Sequence, residues 1–111
     1  MINSFYRGDT QVYTLTIKDK DGNPIDLTGS TIFFTMKENL TLPDDSAALQ
    51  VIVKTHTDPT NGITKITVPA TDTSNLKGGY TYFYDFQLVD ANSNVKTLLA
   101  GKVKVLQDVT Q

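Results

Sequence analysis

Apolar and polar residues alternate one for one along most of this chain, and a helical period is almost absent. In "QVYTLTIKD", residues 11–19, Tyr13, Leu15 and Ile17 share one side while Val12, Thr14 and Thr16 share the other, which predicts a first strand. "STIFFTMKE", residues 30–38, puts Ile32, Phe34 and Met36 on a core face and Thr31, Phe33, Thr35 and Lys37 on the opposite one. "ALQVIVKTH" follows with Leu49, Val51 and Val53 inward. "ITKITV", residues 63–68, is a further strand, ended by Pro69, which has no N–H for the ladder. "YTYFYDFQLVD", residues 80–90, is the longest expected strand, with Tyr80, Tyr82, Tyr84, Phe86 and Leu88 on its core side. "VKTLLAGKVKVLQ", residues 95–107, closes the set, with a bulge expected at Gly101.

The segments between these runs hold residues that bend a chain for steric reasons. Asp21-Gly22-Asn23-Pro24 joins a φ-permissive residue to a φ-fixed one, and Asp58-Pro59-Thr60-Asn61-Gly62 does the same with an Asn-Gly pair able to take positive φ. "ATDTSNLKGG", residues 70–79, has room for one helical turn, capped by Thr71 or Asp72 and stopped by Gly78 or Gly79. Six or seven short strands with regular turn signals predict an all-β fold of about seven antiparallel strands, a β-sandwich with Greek-key connections. A small closed barrel is the second architecture. With no repeat, linker or low-complexity tract, residues 1–111 are expected to form a single domain.

Composition strengthens the strand reading. Seventeen threonines against one glutamate suit half-exposed strands far better than helices. The chain has no cysteine, which removes disulfides, thiolate zinc sites and a cysteine nucleophile. Ten basic and twelve acidic residues leave a net charge of -2, with the basic ones scattered, so no nucleic-acid partner is expected. No apolar run approaches the roughly 20 residues that span a bilayer, and no membrane partner is expected either.

The search for catalytic chemistry is short. His56 is the sole histidine, so Ser-His-Asp triads and His-paired metal sites lack their main ingredient. Flanked by Thr55 and Thr57, it reads as a solvated surface imidazole. Asp19-Lys20-Asp21-Gly22-Asn23 invites comparison with a calcium loop, but counting from Asp19 the sixth position is Pro24 and the twelfth Ser30, where glycine and a bidentate glutamate belong. A charged hairpin turn explains the cluster. Asp44 and Asp45 lie in the most polar loop, where solvation rather than a split pair of pKa values is expected. No phosphate loop is present. The expectation is therefore a protein with no catalytic residue, cofactor or metal.

What remains is surface and corner geometry. If Ile32, Phe34 and Met36 face the core, Phe33 points outward, and the phase of the long strand sends Phe83 outward too. They are either covered by a loop or terminus, or they are interface anchors, and we take them as interface candidates. Gly79-Tyr80, after Leu76, has the look of a corner in which a tyrosine hydroxyl bonds back to the backbone just upstream. Near the start, Arg7-Gly8-Asp9 spells an adhesive tripeptide, yet it lies between Phe5-Tyr6 and a strand beginning at Thr10. Arg7 is the only arginine, and a guanidinium suits a bidentate clamp on a carboxylate. Its expected role is structural, pairing with Asp9, Asp26 or Asp108 within the domain or across a subunit contact, while Gly8 permits the bend.

Taken together, "FYRGDTQVYTLTIKDKDGNPIDLTG", "IFFTMK", "TDPTNGITKITV", "TSNLKGGYTYFYDFQLVD" and "VKTLLAGKVKVLQDVT" resemble the immunoglobulin-like domain at the N-terminus of phage baseplate upper proteins. The resemblance covers nearly the whole chain. It implies an immunoglobulin-like sandwich and a non-enzymatic virion protein, assembled in the host cytoplasm, that docks onto neighbouring tail or baseplate subunits as a homo-oligomer or in repeated copies. In those proteins a helical stalk and further domains follow, so either a stand-alone virion protein or one module of a larger one is implied. Decoration of the phage head or neck, on capsid subunits, is an alternative. From a different class, a cell-surface adhesion or carbohydrate-binding sandwich is a second alternative, and an enzyme with an unfamiliar site a third.

Overall fold

The computed structural model describes residues 2–43 and 46–109, so the expectation for Asp44 and Asp45 lies outside the described residues. Seven strands form two packed sheets: β1 (Phe5–Tyr6), β2 (Gln11–Thr16), β3 (Thr31–Lys37), β4 (Leu49–Val53), β5 (Ile63–Val68), β6 (Thr81–Val89) and β7 (Val95–Leu106). One helical turn, α1 (Ala70–Thr73), lies between β5 and β6. The larger sheet runs β1-β7-β6-β3-β4 and the smaller is the pair β2-β5. Only β3–β4 and β6–β7 are consecutive strands paired with each other; every other connection between described strands crosses from one sheet to the other. The chain is thus an all-β sandwich.

Period-two patterning decides which side chains meet. Ile32, Phe34 and Met36 of β3 face Tyr82, Tyr84, Phe86 and Leu88 of β6, and all seven are buried. Ile66 and Val68 of β5, with Ile17 and Leu27, close the core from the other side. At its centre Phe34 and Phe86 stack with centroids 4.6 Å apart, and Tyr13 of β2 meets them at 5.6 and 5.9 Å. Tilted and edge-on pairs of this kind add about 0.5–1.5 kcal/mol each beyond their buried area.

The turns are held by carboxylates bonding to their own backbone. Asp19 Oδ1 accepts the N–H groups of Asp21 and Asn23, both at 2.9 Å, and Asp90 Oδ1 accepts those of Asn92 and Asn94, both at 2.9 Å. The cluster compared with a calcium loop is therefore a self-satisfied turn. In the Asp58–Gly62 turn only glycine takes positive φ: Gly62 is at 72°, and its carbonyl accepts the Ile17 N–H at 2.8 Å.

Several details differ from the sequence expectations. β1 pairs with β7 in parallel, Phe5 beside Val105 and Tyr6 beside Leu106, so the strands are not all antiparallel. The longest strand is β7, with 12 residues, rather than β6. The register slip in that pair falls between Phe86 and Gln87, opposite Leu99 and Thr97, so the extra residue is Leu98 and not Gly101. Gly101 instead sits in register against Tyr84, where an added Cβ would lie 3.0 Å from the phenol oxygen. The helical turn starts from Pro69, in extended conformation, and ends at Ser74, so neither Thr71, Asp72 nor a glycine caps it.

Candidate docking face

The outer surface of the five-stranded sheet carries the two expected phenylalanines. In register, Phe33 of β3 stands between Ile52 of β4 and Gln87 of β6, while Phe83 of β6 stands between Lys37 of β3 and Lys102 of β7. Between them lies the polar row of Thr35 and Asp85. Four residues along a strand separate the rings by about 14 Å, so they form two anchors rather than one aromatic patch. A hollow of ≈ 400 Å³ runs past both, and Leu40, from the loop after β3, overhangs it. Its floor is low because the residue opposite Asp85 on β7 is Ala100.

Both rings are half-buried: neighbouring side chains prop them up without covering them. Lys102 Nζ lies 5.3 Å from the centroid of Phe83, a cation–π contact that fixes that ring. Lys37 Nζ donates to the Leu42 carbonyl at 2.9 Å and holds the overhanging loop in place. Gln50 Nε2 donates to Thr35 Oγ1 at 3.0 Å, which orients the polar floor. The face is apolar at two points and hydrogen-bonding between them, a composition suited to protein recognition.

The Arg7-Gly8-Asp9 segment is the point where the chain leaves the large sheet and joins the small one. Arg7 N–H donates to Leu106 O at 2.9 Å, Arg7 Nε donates to Leu76 O at 2.9 Å, and its Nη1 meets Asp108 Oδ1 at 3.1 Å. Of the three carboxylates weighed as partners, Asp108 is the one in contact. Gly8 has φ of 87°, and the Asp9 carbonyl accepts the Thr73 hydroxyl at 2.8 Å. Asp26 bonds within its own loop, to Thr28 Oγ1 at 2.6 Å and Thr28 N–H at 2.9 Å, and these bonds hold its carboxyl below the usual range.

Three sequence readings need correction. Tyr80 is 52% exposed, precedes the first residue of β6, and lies under Lys77, whose Nζ is 5.3 Å from its ring centroid. The corner is made two residues later: the buried Tyr82 hydroxyl accepts Lys77 N–H at 2.8 Å. Gly79, at φ of 83°, supplies the bend, and its N–H donates to Val105 O at 2.7 Å. Tyr80, Tyr82 and Tyr84 share one parity, so only the position where β6 begins tells them apart. His56 is not a solvated imidazole. Its Nε2 lies 2.8 Å from Ser30 O and its Nδ1 2.9 Å from Thr64 Oγ1, joining the start of β3 in one sheet to β5 in the other. A carbonyl accepts only, so Nε2 carries a proton and donates to Ser30 O. Neither tie has a signature within a single stretch of sequence.

Among the described residues, no three metal-ligating side chains cluster, and no helix is long and apolar enough to cross a membrane. Residues 2–97 match a family described as the BppU N-terminal domain. No curated protein matches the chain.

Proposed function

The chain belongs to the BppU N-terminal domain family, a phage baseplate structural domain, and from that premise we propose that it docks onto neighbouring tail or baseplate subunits through the outer face of its five-stranded sheet. The observation that carries this reading is the pair of half-buried rings, Phe33 and Phe83, beside one hollow on that face. Aromatic anchors at the centre of an interface supply a disproportionate share of binding energy, and the Thr35–Asp85 row between them sets orientation through hydrogen bonds. Arg7, Gly8, Asp9, Asp26, Gly79 and Tyr80 belong to the scaffold rather than to the contact. The role is non-enzymatic, exercised in repeated copies within a virion assembled in the host cytoplasm.

Binding of the purified chain to its neighbouring tail or baseplate subunit tests this. Phe83→Ser and Phe33→Ser are each expected to weaken the complex by about 2 kcal/mol, some thirtyfold, while shifting the unfolding midpoint far less than a core truncation does. Unchanged assembly in both variants would refute the assignment of this face.

A further inference from the structure

β4 is the outer strand of the large sheet and is open on the side away from β3; β5, beyond the bridge from Ile63 to Asp58, is likewise open on the side away from β2. These edges flank one slot of ≈ 670 Å³, walled by Val51, Ile52, Val53, Lys54, Lys65 and Thr67. Natural sheets guard a free edge by shortness, by proline, by a bulge or by charge within the strand. The opposite edge of this sheet is guarded by shortness, since β1 has two residues. β4 runs Leu49–Val53 with no proline or charge, and its register with β3 is unbroken from Val53 to Leu49. Among the described residues, no backbone hydrogen bond joins β4 to anything other than β3. Ile52, its fourth residue, is 51% exposed.

Charge selects what such an edge takes. Lys54 and Lys65 stand at the rim, no carboxylate lines the slot, and among the described residues neither lysine belongs to an ion pair. A second copy of the chain would offer a β4 without a carboxylate and bring two more lysines to the same place. We propose that the slot accepts, by strand addition to β4, an extended segment of another polypeptide whose inward side chains are β-branched and whose outward side chains are acidic. Main-chain hydrogen bonds to the free edge supply affinity and alternate side chains supply specificity. The inward residues continue the half-buried floor of Val51 and Val53; the outward carboxylates meet Lys54 and Lys65. This surface does not depend on Phe33 or Phe83.

The test is titration of the isotope-labelled full chain with the synthetic peptide Val-Glu-Val-Glu-Val-Glu-Val, followed by amide shifts and hydrogen exchange. Amides of Leu49–Val53 are expected to shift and gain protection. The double variant Lys54→Glu with Lys65→Glu is expected to bind that peptide at least about tenfold more weakly and to accept the matching Val-Lys peptide instead. Phe83→Ser is expected to leave the titration unchanged, which separates this proposal from the docking face. It is overturned by no saturable shift up to about 1 mM peptide, by shifts confined to the Phe33–Phe83 hollow, or by equal affinity of the unaltered chain for the Val-Lys peptide. Self-association through β4 without peptide also overturns it, assigning the edge to a second copy.

Discussion

Tyr13 shows how one side chain records a compromise between packing and polarity. Its ring completes the aromatic centre of the core, yet among the described residues its hydroxyl is the one buried side-chain polar atom without a hydrogen-bond partner. Burial, and secondarily the nearby Tyr84, push its phenol from 10.0 up to about 12. The neutral form is the one the fold favours. Stability linked to it is complete below pH 10 and disappears as pH rises from 10 toward 12. Tyr13→Phe keeps the ring and removes the orphan hydroxyl, so the variant is expected to gain about 1 kcal/mol. It should also lose the part of alkaline unfolding that begins above pH 10, which denaturant titrations at pH 8 and 11 measure. Arg7 is the opposite case, a polar side chain held by two hydrogen bonds. Arg7→Lys keeps charge but gives up the planar fork that reaches Leu76 O and Asp108 together, at an expected cost of about 1–2 kcal/mol. An unchanged unfolding midpoint for Arg7→Lys would return this arginine to the status of a surface residue.

Elements are set by the places where the backbone has no freedom left. At Gly62 two constraints coincide: φ is 72°, and a Cβ would overlap the Ile17 carbonyl oxygen. Gly62→Ala is therefore expected to destabilise by about 2 kcal/mol or more, read as a lower denaturant midpoint with unchanged slope. Gly79 also has positive φ, 83°, but nothing lies within 4 Å of its missing Cβ, so Gly79→Ala is expected to cost only the backbone strain, about 1 kcal/mol. The contrast tests whether close approach or φ alone dominates. Strand identity was legible in the chain because β3 and β6 bury one face and expose the other, so alternation marks Phe34 and Phe86 as core and Phe33 and Phe83 as surface before any coordinate is known. Strand ends were not. Tyr80 has the parity of a core residue but lies ahead of β6, and the extra residue falls at Leu98 because pairing with β6, not a glycine, dictates the slip. The parallel pairing of β1 was hidden for the same reason: two residues carry no period.

At the scale of the molecule, the small sheet has only β2 and β5, so its attachment to the large one depends on the shared core and on a few polar ties that cross between layers. Such ties join residues far apart in sequence, which is why spacing alone read His56 as solvated and left Asp108 as one of three carboxylates offered to Arg7, while the outward phenylalanines could be named from strand phase. His56 is the tie nearest the β5 end. His56→Ala would leave the fully buried Thr64 hydroxyl and the Ser30 carbonyl without partners, an expected loss of about 1–3 kcal/mol. The distribution of that loss is the sharper observable. If the imidazole holds one sheet to the other, amides of β2 and β5 should lose hydrogen-exchange protection well before those of β6 and β7, because the smaller unit then opens on its own. Uniform loss across both sheets would mean that the core alone couples them and that His56 contributes only to global stability. A small sheet that opens first would leave β6, and with it Phe83 and the face proposed for docking, intact.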